Sequence, residues 1–209
     1  MPGPSMKQVA LLLLVLLNAN LAHAQGLSGP HIGGYLAGGS ADAHWDFAPG
    51  TKIDHSMSGG LVGVQGGYNW QPGGWLLGVQ ADMGIGNIGG STRCPNQAFE
   101  CKTELLSLLT IRGRAGPVFG NIAPYATAGI ASAGIRTEVK GQNGSDDDVQ
   151  GHGGWTAGVG VTGLAGRHIL WQAEYLRLNF GSEEHVMFGS PNQVKVTADI
   201  FRIGLHYKF

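Results

Sequence analysis

Apolar residues recur at every second position along much of this chain. In GWLLGVQADMGIG, Trp75, Leu77, Val79, Ala81, Met83 and Ile85 share one parity, opposite Leu76, Gly78, Gln80, Asp82 and Gly84. A period of two is strand periodicity, because successive side chains of an extended backbone point to opposite faces. Upstream, LVGVQGGYNW sets Val62, Val64, Tyr68 and Trp70 against Gly63, Gln65, Gly67 and Asn69. Between the two runs lies Gln71-Pro72-Gly73-Gly74, a tight-turn composition, so together they predict a hairpin.

The pattern repeats. LLSLLTIRGRAG places Leu105, Leu109, Ile111 and Ala115 opposite Thr110, Arg112, Arg114 and Gly116, and after Phe119-Gly120-Asn121 comes APYATAGIASAGI. GWTAGVGVTGLAG sets Trp155, Ala157, Val159 and Val161 against Thr156, Gly158, Gly160 and Thr162, then turns at Gly166-Arg167 into HILWQAEYLRLNF. There Ile169, Trp171, Ala173 and Tyr175 oppose Leu170, Gln172 and Glu174. With HIGGYLAGG at the start and DIFRIGLHYKF at the end, the chain holds about eight strands.

Short connections near 71–74, 119–122 and 165–167 alternate with long polar ones near 41–57, 87–103, 137–152 and 181–194. That is the layout of an all-β, eight-stranded antiparallel up-and-down transmembrane barrel, whose tilted strands need about 9–11 residues to cross a bilayer. The apolar parity carries Trp70, Trp75, Trp155, Trp171, Tyr175 and Tyr207 near strand ends, as interfacial girdles require. A soluble carrier barrel would be inverted, with its apolar face enclosing a ligand. The apolar face is therefore read as the lipid face.

The N-terminus supplies an address. Lys7 is followed by the apolar run Val9 to Leu17 and by Ala22-His23-Ala24, a small-x-small cleavage pattern, which predicts a signal peptide over 1–24 and a barrel domain over 25–209. Removing Lys7 takes the 13 basic residues to 12 against 14 acidic, a net of −2, so the balance excludes a nucleic-acid binder. No other apolar run approaches the ~20 residues of a membrane helix, so strands must do any spanning. Cys94 and Cys101 sit in a loop-like stretch of an exported chain, where pairing would staple a loop tip for roughly 2–3 kcal/mol. A C-x6-C metal site is the alternative, but no neighbouring histidine completes a ligand set.

Six charges fall on the inward parity: Asp82, Arg112, Arg114, Glu174, Arg202 and Lys208. A barrel of this size is just wide enough to be filled by its own side chains, so these residues are expected to pair as a plug, with a proton or solute path as the rival reading. His44, His55, His152 and His185 fall in the long connections and are read as solvated loop residues, with metal or haem binding as the alternative. The Asp146-Asp147-Asp148 run lacks the spacing of a calcium loop. GIGNIG from Gly84 and GVGVTG from Gly158 match a nucleotide-binding pattern, but neither opens a helix; lumen glycines making room for larger neighbours is the plainer reading. Ser132 and Ser182 have no evident histidine and acid partners, so no enzyme and no cofactor are expected.

In order and spacing, GGYNWQPGGWLLGVQADM, LLTIRGRAGPVFGNIAPYATAGI, GWTAGVGVTGLAGRHILWQAEYLRLNFG and FRIGLHYKF resemble the small eight-stranded outer-membrane barrels of the porin-like surface-antigen type in Gram-negative bacteria. The resemblance covers most of the chain after residue 24. It implies a monomer among outer-membrane lipid and lipopolysaccharide, with a structural or surface role. A small-solute or ion channel and a surface binding protein acting through its loops are the alternatives. It also implies that Phe201, Ile203, Leu205, Tyr207 and Phe209 form the signal read by the barrel-assembly machinery. Where family members often carry an aromatic on the lipid face, this chain has Arg177, which near a strand's loop end can snorkel to head groups.

Two predictions follow from these residues. Deleting Phe209 is expected to lower the folded, membrane-inserted protein while leaving export intact; undiminished heat-modifiable, protease-resistant protein would contradict the assembly signal. Replacing Cys94 and Cys101 together by serine is expected to leave insertion intact and make that loop easier to cleave. Two free thiols in unreduced envelope protein would rule the disulfide out.

Overall fold

Each alternating run forms a strand, and each strand pairs with its neighbours in sequence. The structure is a computed structural model describing residues 26–47, 51–93, 100–141, 144–187 and 190–209, with side chains over 26–42, 56–90, 104–136, 151–181 and 196–209. The strands are β1 (Gly29–Phe47), β2 (Thr51–Trp70), β3 (Trp75–Arg93), β4 (Glu100–Pro117), β5 (Ile122–Gly141), β6 (Gly144–Ala165), β7 (Ile169–Met187) and β8 (Ser190–Lys208). They close in chain order into one antiparallel barrel, β8 returning to β1 with Leu36 opposite Ile203. Closure leaves no sheet edge with unpaired backbone groups, the condition for a sheet to sit in lipid.

An exposed apolar belt rises from the short-turn end. On β3 it runs from Trp75 to Ile85, on β5 from Ile122 to Ile130 and on β8 from Phe209 back to Phe201. Those lengths match the ~9–11 residues of a tilted bilayer crossing. Trp70, Trp75, Phe119, Tyr207 and Phe209 ring its lower rim, as the girdle reading requires.

The strands do not stop at the top of the belt. They are 18 to 22 residues long, and pairing continues to Phe47 opposite Thr51, Arg93 opposite Glu100, Gly141 opposite Gly144 and Met187 opposite Ser190. The connections read as long loops are therefore largely strand. His44, His55, His185 and the Asp146–Asp148 run lie in β1, β2, β7 and β6, their side chains outside the described ones, while His152 is buried inside the barrel. Cys101 lies in β4 opposite Thr92, its side chain not described; Cys94 and the residues of the expected signal peptide lie outside the described residues.

Above the belt the polarity of the two faces inverts. Ser40, Asp42, Ser56, Ser58, Asn87 and Ser132 now point outward and are exposed. Ala41, Met57, Ile88, Leu105, Ile135, Leu178, Phe180 and Val196 point inward and are buried in one apolar cluster. The physical reason is the change of solvent. Lipid requires an apolar exterior, whereas a barrel wall in water gains by burying its apolar side chains, about 1.5–3 kcal/mol for each large one.

Bulges assist the change. The β4/β5 register shifts between Leu105 and Ser107, which turns Leu105 inward. It is 1% exposed, whereas Leu109 below it is 48% exposed. The reading that put both on the lipid face is corrected accordingly: one extra residue swaps the parity of everything beyond it.

Candidate functional site

At bilayer depth the barrel encloses a polar layer built around four charges. Arg112 on β4 donates from one terminal nitrogen to Glu174 Oε1 at 2.8 Å and from the other to Asp82 Oδ2 at 2.9 Å. Arg202 on β8 donates from Nε to Glu174 Oε2 at 2.5 Å. One of its terminal nitrogens lies 3.0 Å from Asp82 Oδ1, an ion pair without hydrogen-bond alignment. Two cations and two anions thus alternate in a closed, electrically neutral ring fed by β3, β4, β7 and β8. Glu174 and Arg202 face each other directly in the β7/β8 register.

Neutral groups complete it. Thr110 donates to Asp82 Oδ2 at 2.7 Å and accepts from Arg112 Nε at 2.9 Å, and Tyr125 donates to Glu174 Oε1 at 3.1 Å. The Arg202 guanidinium lies over the Tyr35 ring at 4.9 Å, and that of Arg114 over Tyr125 at 5.3 Å. These tyrosines need floor space, which glycines supply. A Cβ at Gly84 would overlap the Tyr35 hydroxyl, and one at Gly160 would lie 2.6 Å from Tyr125. Glycines of both nucleotide-like matches therefore seat lumen aromatics.

Not all six inward charges join the ring. Arg114 is buried one layer lower and is held by neutral acceptors: Asn69 Oδ1 from two of its nitrogens, at 3.1 and 2.6 Å, and Gln172 Oε1 at 3.2 Å. The terminal nitrogen that donates to Asn69 at 2.6 Å also lies 3.3 Å from His31 Nε2. An arginine can only donate, so that imidazole nitrogen is the acceptor. Gln172 Oε1 also accepts from Gln65 and Gln80. Lys208 lies inward near the mouth, and among the described residues neither Arg114 nor Lys208 forms an ion pair. The expectation of complete pairing is corrected on this point. Amides and an imidazole satisfied Arg114 without an acid, and composition alone did not reveal them.

Apolar layers bound the polar one on both sides. Leu61, Leu108, Ala131, Leu176 and Ile200 lie at the level above and begin the upper cluster. Below, Leu27, Leu76, Ala123, Tyr125 and Leu170 close the short-turn end. Parity alone did not reveal the upper apolar layer, although its residues lie two positions from the ring's own: Leu176 after Glu174, and Ile200 before Arg202.

On the outer face, Arg177 stands just above the belt. It donates to both Asp199 oxygens at 3.1 and 2.9 Å, and Tyr175 donates to the same carboxylate at 2.6 Å. The Arg177 side chain is 53% exposed, so the pair marks the interface and adds little stability. Phe201, Ile203, Leu205, Tyr207 and Phe209 all point outward. The ring of His168 stacks on that of Tyr207 with centroids 5.3 Å apart.

A closed barrel with an apolar belt, aromatic rims and a polar interior at belt depth defines an outer-membrane β-barrel protein. The chain belongs to the outer membrane protein beta-barrel domain family, whose model it matches over residues 9–209. It is 29% identical over 182 residues to the 25 kDa outer-membrane immunogenic protein of Brucella melitensis biotype 1, covering 87% of this chain and 79% of that one. It is 30% identical over 170 residues to the 31 kDa outer-membrane immunogenic protein of the same organism, covering 76% and 70%. Among solved structures it is similar to the outer membrane protein OprG from Pseudomonas aeruginosa, with a TM-score of 0.46 and 16% identity over 90% of this chain and 99% of that one. The protein is thus an outer-membrane protein of Gram-negative type.

The ring makes a stability prediction. Arg112→Met leaves two buried carboxylates facing one arginine and is expected to destabilise the refolded barrel by about 3–5 kcal/mol. Replacing the whole ring with neutral residues (Asp82→Asn, Arg112→Met, Glu174→Gln, Arg202→Met) should cost less, since no uncompensated charge remains. Urea unfolding measures both, and a single variant no less stable than wild type would refute the coupling.

Proposed function

We propose that this is a structural, surface-exposed barrel whose lumen is sealed, and that it is not a porin. The supporting observation is the stacking of two different barriers, one above the other. The neutral ring of Asp82, Arg112, Glu174 and Arg202 links four strands through the lumen, and directly above it lies the apolar layer of Leu61, Leu108, Leu176 and Ile200. An ion crossing the ring finds paired charges that need no counter-ion; crossing the apolar layer, it loses its water without compensation. Outward polar strand extensions above the belt, and relatives named as immunogenic proteins, favour a surface role.

The same reading makes the protein a monomer in outer-membrane lipid and lipopolysaccharide, inserted by the barrel-assembly machinery through its closing strand. It assigns no enzymatic role. A narrow anion path is the second reading, favoured by the surplus cations Arg114 and Lys208 at the short-turn end.

Planar-bilayer recording on refolded protein separates the two readings. The wild type is expected to be almost non-conducting. Glu174→Ala strips the shared partner from both ring arginines and should lower the unfolding temperature. Leakage should stay small while the apolar layer is whole and rise when Leu176→Gly is added. Stable, porin-sized openings of the wild type would replace this reading with the channel.

A further inference from the structure

We infer that Gly26–Ser28 is a stopper for the short-turn mouth of the lumen, held on a glycine hinge, and that the polar chamber behind it opens to the periplasm when the stopper leaves. The inference rests on the sealed-barrel reading and adds that the two seals are unequal. Leu27 is 1% exposed and packs inside the barrel with Leu76, Ala123 and Leu170, although it precedes the first strand. To reach that place the chain bends back at Gly29, whose φ of 122° lies in a region L side chains rarely adopt. A Cβ there would also press on the carbonyl of Phe209, 3.3 Å away. At the far end of the segment, a Cβ on Gly26 would lie 2.6 Å from Gln71 Oε1. Glycine is needed at the hinge, Gly29, whereas a side chain at Gly26 would have to displace the Gln71 amide that anchors Leu27.

The segment has three polar anchors. Leu27 N donates to Gln71 Oε1 at 3.1 Å, Asn69 Nδ2 donates to the Leu27 carbonyl at 3.0 Å, and the Ser28 hydroxyl donates to the Asn69 carbonyl at 3.2 Å. Asn69 is also the residue that accepts from Arg114. One amide therefore joins the stopper to the unpaired cation of the chamber, and Gln172 carries the connection on to Gln65 and Gln80. These anchors make a built contact rather than a tail lying against the rim.

The stopper is the weaker seal. The upper cluster is made of side chains from the strands themselves, so opening it means deforming the wall. At the lower mouth Leu27, on a short strap, fills the space between Leu76, Ala123 and Leu170 of the wall, and its departure breaks three hydrogen bonds and no strand pairing. With Leu27 gone, water and small anions would reach Arg114, His31 and the amide cluster from the periplasmic side. They would still meet the ring and the apolar layer beyond it.

The test places a reporter thiol in the chamber, Gln80→Cys in a Cys94→Ser, Cys101→Ser background, and follows its modification by 2-sulfonatoethyl methanethiosulfonate in folded, heat-modifiable protein. With Leu27 present, labelling should be slow. Leu27→Gly and deletion of Gly26–Ser28 should each accelerate it by roughly tenfold or more, the population change that about 1.4 kcal/mol of lost packing produces, while Leu27→Met restores slow labelling. Equal rates in all four barrels would overturn the stopper and leave the sealed-barrel reading standing. Stable wild-type conductance would instead overturn that reading.

Discussion

A strand keeps its parity as it leaves the membrane, but the solvent outside it changes. That constraint organises this barrel. Within the belt, the outward set must be apolar because hydrocarbon can hydrogen-bond nothing, so Val79, Met83, Ile203 and Leu205 face lipid. Higher on the same strands, water lies outside and the wall can be stabilised only by an apolar set pointing in. An eight-stranded barrel is narrow enough for such a set to meet across its axis. Met57, Ile88, Phe180 and Val196 belong to one such buried cluster and come from four strands.

The polar layer beneath is shaped by burial. Charges taken from water lose several kcal/mol of hydration each, and only geometry that returns it makes them tolerable. Here each carboxylate faces both ring arginines and each arginine faces both carboxylates, while Thr110 and Tyr125 occupy further hydrogen-bonding positions. Drawing the four charges from four strands also ties non-adjacent parts of the wall together, which neighbouring-strand pairing cannot do. Arg114 shows another solution for one buried cation: spreading its donors over Asn69, Gln172 and His31, with Tyr125 beneath its plane.

The belt was legible because its signal is simple. Trp75 to Ile85 and Phe201 to Phe209 alternate cleanly, and the inward residues Asp82, Arg112, Glu174 and Arg202 could be named from parity alone. The extensions were not legible, because a search for apolar side chains on the outward parity ends where the solvent changes, near Ser40, Asn87 and Arg177. Leu105 was misassigned for a related reason, since a bulge has no strong composition and yet exchanges the faces beyond it. Residue partners were partly legible. Glu174 opposite Arg202 follows from an antiparallel meander, but Arg112 reaching Glu174 across the lumen depends on barrel closure and shear.

With the proposed stopper, such a barrel would be permeable at one end only. A polar chamber between two dry layers exchanges with the outside through whichever layer separates at lower cost. Above the ring, separation would expose a cluster supplied by several paired strands, and the strain would have to pass through backbone ladders closed around the whole circumference. At the short-turn end, Leu27 belongs to no strand, and its anchors Gln71 and Asn69 lie at or beside a turn. Under the proposed stopper, a difference of this kind would let the interior hydrate from the periplasm without the wall moving, so that solvent access to the polar layer and conduction through the barrel would be separate properties set by separate residues.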